Sequence, residues 1–159
     1  MTILDAQGTF SDAQAVTSSA VGTNVIDLVT ARSIGNGEPL AVLFVVDVAA
    51  DQTSSDEDYT FDVEYATDTG QTTGRQLINR RVFESGTPDA PAQNADLLVI
   101  GFQFVMNIPP TTLDEDGQYI GIRYTTAGTS PTITCSAYLV PQSFVDAGKN
   151  TYASGYSIT

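Results

Sequence analysis

Three observations predict an all-β fold, a jelly-roll-like antiparallel β-sandwich with extended N- and C-terminal segments. Apolar residues recur at every second position in one short segment after another. Those segments are separated by runs of Gly, Asp, Ser and Pro. No stretch over ten residues shows a helical period with caps, so helix is expected in under about a fifth of the chain, against about a third in ordinary domains. Seven or eight strands in one small domain favour a sandwich, and the jelly roll is its natural eight-stranded form.

A short strand is allowed at Thr2–Leu4, and a weak run covers Thr23–Val29. Leu40–Val48 is apolar on both parities until Asp47, which predicts a central strand covered on both faces. In Tyr59–Ala66 apolar and polar residues alternate, the pattern of a half-buried strand. Arg75–Phe83 carries Arg75, Arg80 and Arg81 and reads as an edge strand guarded by charge. Leu97–Met106 is expected to place Leu98, Ile100, Phe102 and Phe104 on one face. Tyr119–Thr126 and Thr132–Val140 complete the set, with Phe61, Phe102, Ile122 and Cys135 predicted inside. Three parts follow: residues 1–22 as an N-terminal arm or first strand, 23–140 as the sandwich, and 141–159 as a C-terminal tail. Both terminal parts are small and polar yet carry isolated aromatics, Phe10 at one end and Phe144, Tyr152 and Tyr156 at the other. Apolar anchors on polar segments imply that the segments lie against something.

With 159 residues the chain fits one domain, large enough to bury about 70% of its unfolded surface. No apolar run approaches the ~20 residues of a membrane span; the longest, Leu40–Val46, has seven. MTILDAQ lacks the basic and apolar regions of a secretion signal, so a soluble protein made in a cytoplasm is expected. Nineteen acidic residues against six basic ones give a net charge of −13, which repels nucleic acid and anionic membrane. A partner surface would be neutral or basic, or docking would be mainly apolar; a salty habitat would produce the same balance.

Catalytic chemistry is sparse. The chain has no histidine, which removes Ser-His-Asp and Cys-His catalysis and the commonest metal ligand. Cys135 is alone and lies on the apolar parity of its segment, so it reads as a small core side chain. Asp114-Glu115-Asp116-Gly117 lacks the later ligands of a calcium loop and reads as a hairpin turn, and Asp56-Glu57-Asp58 reads as a solvated loop. Gly35-Asn36-Gly37 does not lead a strand into a helix, so it is not a phosphate loop. Paired carboxylates could serve glycoside hydrolysis, but sugar clefts are usually lined by Trp and this chain has none. No enzyme, cofactor or metal is expected. The Arg75, Arg80 and Arg81 cluster either balances neighbouring carboxylates or meets another subunit.

The stretch Phe10–Leu28, FSDAQAVTSSAVGTNVIDL, resembles the opening of the Bbp16-like capsid cement proteins of tailed bacteriophages. Ile34-Gly35-Asn36-Gly37-Glu38-Pro39-Leu40 looks like theirs, as does Tyr119-Ile120-Gly121-Ile122-Arg123-Tyr124 running on to Thr126-Ala127-Gly128-Thr129 and Pro131-Thr132. Val145-Asp146-Ala147-Gly148 and Tyr152-Ala153-Ser154-Gly155-Tyr156 are similar too. Residues 49–96 show little likeness.

The resemblance implies a jelly roll that assembles as small oligomers, a dimer favoured over a trimer, on the outside of an HK97-type phage head. There it would staple neighbouring major capsid proteins, as a virion component made in the host cytoplasm. Phe10, Ser11, Asp12, Gln14 and Val16 are then candidates for capsid contact, with residues 1–22 as a docking arm. Arg75, Arg80, Arg81, Tyr152 and Tyr156 are candidates for oligomer contact. The other reading of residues 1–22, a sandwich strand plus a loop, stays open. So does a second function, a carbohydrate-binding β-sandwich on a virion surface.

Overall fold

Period-two alternation becomes extended strand nearly wherever the sequence shows it. The computed structural model describes residues 8–29, 39–85, 94–109 and 117–145. Nine strands run through them: β1 (Thr9–Val16), β2 (Ala20–Val21), β3 (Ile26–Asp27), β4 (Leu40–Val48), β5 (Asp58–Ala66), β6 (Gln76–Glu84), β7 (Gln103–Ile108), β8 (Tyr119–Ala127) and β9 (Ile133–Pro141). The fold is an all-β sandwich of two antiparallel sheets. The first has the order β1-β9-β4-β7; the second has β2-β8-β5-β6, with β3 also paired to β8.

The pairing follows from one long antiparallel ribbon. β5 pairs with β6, β4 with β7, β2 and β3 with β8, and β1 with β9, so the chain is folded back on itself about the 67–75 turn. Rolling that ribbon brings β4 against β9 and β5 against β8 and splits it into two sheets, which is the jelly-roll winding. The turn at its tip is organised by Asp68. Its carboxylate accepts from the Thr72 and Thr73 N–H groups at 2.9 and 2.8 Å and from both threonine hydroxyls. Those bonds, led by the Thr73 N–H and the Thr72 hydroxyl, hold the Asp68 carboxyl well below the usual carboxylate range.

The core between the sheets is aromatic. Phe44 stacks on Phe104 at 4.9 Å, while Phe61 meets Phe44, Phe104, Tyr124 and Phe83 edge-on at 5.0 to 5.7 Å. Phe61, Ile122 and Cys135 are buried as expected. Phe102 is only partly buried, packed against the rim of the core. Burial pushes the Cys135 thiol up to about 12, with the Asp47 charge adding to it. Cys135 is therefore expected to resist a bulky thiol reagent in the native state and to react once denatured; rapid native labelling would refute this placement.

Two expectations need correction, and of the two open readings of residues 1–22 the described part follows the sandwich strand. Residues 9–22 are part of the sandwich: β1 lies along β9 with Phe10 and Val16 in the core. Two register shifts and a left-handed Ala13 (φ 44°) interrupt β1, which is why its period is hidden. The Leu97–Met106 run becomes a 3-10 turn at Ala95–Leu97, a left-handed Gly101 (φ 82°), and a strand only from Gln103. Leu98 is buried there, but Ile100 is exposed. The 56–58 loop is not simply solvated: Glu57 is buried, accepting from the Ser54 and Asp56 N–H groups and the Ser85 hydroxyl. The Thr2–Leu4 strand, most of Asp114–Gly117, and Tyr152 and Tyr156 fall outside the described residues.

Candidate interaction surface

The two sheets present outer faces of opposite chemistry. On the second sheet, alternation along β5 sends Tyr59, Phe61, Val63 and Tyr65 inward and Asp62 and Glu64 outward. Yet both carboxylates are only 1% exposed. Flanking strands cover them: Arg80 on β6 makes a two-pronged bond to Asp62 at 2.7 and 2.8 Å. Arg75 does the same to Glu64 at 2.6 and 2.8 Å. Arg123 on β8 bonds Glu64 at 2.7 Å and the Gln71 carbonyl at 2.6 Å. Gln71, in the turn, lies across Gly121, where any Cβ would overlap its amide. Burial raises the Glu64 pKa, but the bonds from Arg75 and Arg123 outweigh it, and the net shift is downward from 4.5. The ion-pair stabilisation at Glu64 is thus full above that value and lost as pH falls through the lower folded pKa.

Arg75 and Arg80, candidates for oligomer contact, are therefore engaged within the chain, the charge-balancing alternative. Arg81 points to the inner side, its guanidinium 4.9 Å from the Phe83 ring centroid and 5.1 Å from that of Phe104. Arg80→Ala would strand Asp62 and is expected to cost on the order of 3 kcal/mol, moderated because water reaches the carboxylate once the arginine is gone. Replacing both residues by leucine is expected to recover most of the loss. Urea midpoints of the two variants check this; an Arg80→Ala midpoint equal to wild type would refute it.

The first sheet's outer face is nearly uncharged. Its register aligns Thr9, Tyr138, Leu43 and Val105 in one row across all four strands, with Val45 and Gln103 in the next. Leu43, Val45, Val105 and Tyr138 are each half-buried. The one carboxylate on this face of β4, β7 and β9, Asp47, accepts from the Ser136 hydroxyl at 2.6 Å. Ser136 Oγ in turn accepts from the Ala13 N–H at 2.8 Å and so anchors the β1 bulge. All four arginines among the described residues lie on the other sheet or its turn.

The capsid-contact candidates are divided by this geometry. Phe10, Ser11 and Val16 are buried, so in the folded chain they serve the sandwich and not a partner. Ser11 Oγ hydrogen-bonds the Tyr124 hydroxyl at 2.7 Å. Gln14 ties β1 to the next segment, donating to the Val21 carbonyl and accepting from the Thr23 N–H. Asp12 alone of the five is exposed. The sequence reading missed the apolar side chains before β7: Val99 and Ile100 are 53% and 71% exposed, with Leu97 and Val48 also open to solvent. A signal was present, since Leu97-Leu98-Val99-Ile100 exceeds what one buried face can take.

The chain is thus an antiparallel β-sandwich with one ion-paired outer face and one nearly uncharged one. This chain belongs to the Bbp16 family, whose sequence profile matches residues 10–139. Bbp16 is a phage family, and a structural role in the virion is the coarse function that membership carries. No curated protein matches the chain. Among solved structures, a chain described as "Structure of infectious bursal disease virus Gx strain" aligns at 16% identity with a TM-score of 0.36. The alignment covers 82% of this chain and 30% of that one.

Proposed function

We propose that this protein is a capsid cement protein that binds the outer surface of a tailed-phage head and stabilises contacts between major capsid proteins. Family membership over residues 10–139, from β1 into β9, is the observation that carries this reading. The surface chemistry supports it: on the second sheet Asp62, Glu64, Arg75, Arg80 and Arg123 are locked into internal pairs, while the first sheet offers a nearly uncharged face and exposed apolar side chains. Such a surface can dock without neutralising a net charge of −13. Its partners in this reading are the major capsid protein of an HK97-type shell and further copies of itself.

The test is made on purified heads. Heads lacking the protein are expected to open at lower temperature, or on chelation of divalent cations, and to regain resistance when purified protein is added back. Absence of the protein from mature heads, or equal resistance without it, would overturn the proposal.

A further inference from the structure

We infer that Arg81 is a receptor for a carboxylate presented by another protein, at the open side of the sandwich between β6 and β7. The four arginines among the described residues are not alike. Arg75, Arg80 and Arg123 have their guanidinium edges occupied by Glu64 and Asp62 at 2.6 to 2.8 Å. Arg81 makes no ion pair or side-chain hydrogen bond among the described residues; its guanidinium contacts two aromatic rings instead. In a chain of net charge −13, this one cation keeps its N–H donors unspent.

The strand register places it. Arg81 lies opposite Phe61 of β5, with Asn79 opposite Val63 and Phe83 opposite Tyr59, so all three side chains turn to the core side of β6. β6 ends its sheet and β7 ends the other, and side chains leaving β6 on that side cross between the two margins. Asn79 does so, its Nδ2 donating to the Asn107 carbonyl at 3.0 Å. Arg81 does so over Phe83 and over Phe104 of β7, at 4.9 and 5.1 Å from the ring centroids. Its stem covers the aromatic margin while its head stays wet. Among the described residues no buried side-chain nitrogen or oxygen lacks a hydrogen-bond partner, so the unbonded nitrogens of Arg81 reach solvent. Guarding the edge of β6 needs a charge, and lysine would serve as well. A guanidinium held on rings offers more: a planar edge whose parallel N–H groups match the two oxygens of a carboxylate.

The surroundings define the ligand. The other three described arginines are already neutralised, so a phosphate dianion would meet a single cation against the field of an acidic chain. One carboxylate is matched by one guanidinium. An exposed pair of this kind is worth little by itself, so apolar contact must add to it. Phe102, partly buried and 6.0 Å from both Phe83 and Phe104, completes a three-ring margin. Val99 and Ile100, just before it in the chain, are exposed. The partner segment that fits is a glutamate or aspartate flanked by apolar residues. That this partner is a capsid subunit rests on the proposed function; the carboxylate site itself does not.

The test follows the arginine Nε–H signals of the isotope-labelled full-length chain by nuclear magnetic resonance. Sodium acetate is exchanged for sodium chloride at constant ionic strength, and the Arg81 signal is identified by its loss in Arg81→Gln. If that variant fails to fold, Arg81→Lys, which keeps a stem over the rings, makes the identification. The Arg81 signal is expected to shift and saturate, while those of Arg75, Arg80 and Arg123, already on carboxylates, stay in place. A capped Leu-Glu-Leu peptide should reach half-saturation at a concentration several-fold below that of acetate, up to about tenfold, from contact with the rings. An Arg81 shift no larger than those of the paired arginines, or one that never saturates, overturns the inference. A peptide no better than acetate overturns the protein partner, and a tighter response to inorganic phosphate overturns the choice of a carboxylate. No phage head enters this experiment, so the site and the cement proposal fail separately.

Discussion

Deleting residues 2–12 is expected to unfold the chain instead of freeing a sandwich that has lost its capsid contact. The deletion removes Phe10, fully buried among the core side chains, for which truncation alone costs about 3–5 kcal/mol. It removes Ser11, leaving the buried Tyr124 hydroxyl without the partner it has at 2.7 Å, which adds about 1–3 kcal/mol. It also strips the first half of β1 from β9 and uncovers a long central strand. These losses consume most of a stability of about 5–15 kcal/mol. Far-UV circular dichroism and solubility read the outcome. A truncated chain that keeps the wild-type spectrum and denaturant midpoint would show that β1 is dispensable and restore the docking-arm alternative.

Phe61→Ala is the second large effect, expected near the upper end of about 3–5 kcal/mol. Phe61 sits where four other rings converge, so its removal opens a cavity lined by rigid groups that cannot close over it. The edge-on contacts add to the transfer loss, though not additively. Phe102→Ala provides the control: its ring packs at the rim, 6.0 Å from Phe83 and from Phe104, and should cost far less. Equal shifts in urea midpoint for the two variants would contradict this description of the core.

What could be read from the sequence depended on whether a segment keeps its period. β4 falls on the predicted Leu40–Val48, and β5, β6, β8 and β9 lie within a residue of expectation, because each is a full nine-residue strand whose irregularities are too few to hide it. β1 was only one of two open readings because the bulges around Ala13 let the neighbours Phe10 and Ser11 both face inward, which breaks the period. The run before β7 misled because a left-handed Gly101 turns the chain without leaving a mark in hydrophobicity. Period two correctly sent Asp62 and Glu64 outward. Their burial arises from Arg75, Arg80 and Arg123, which come from the turn before β6, from β6 and from β8, a register no single segment contains. The fragments that resemble the family gain a physical reason: Phe10-Ser11 and Gly121-Ile122-Arg123-Tyr124 lie far apart in sequence but meet through Ser11 and Tyr124. In the second fragment, Gly121 leaves room for Gln71, and Arg123 holds Glu64.

The winding of the ribbon also sets a timetable for synthesis. β1 leaves the ribosome well before its partner β9, and Phe10 has no complete core to enter until Ile133–Pro141 emerges. The first pair that can close is β5 with β6, joined by a short turn; each later pair then adds outside it, β4 with β7, β2 and β3 with β8, and finally β1 with β9. Nascent chains arrested before residue 133 should accordingly stay protease-sensitive throughout β1, with protection arriving in one late step. Until then Thr9–Val16 has no strand to pair with, although its own core-facing side chains Phe10 and Val16 are already made.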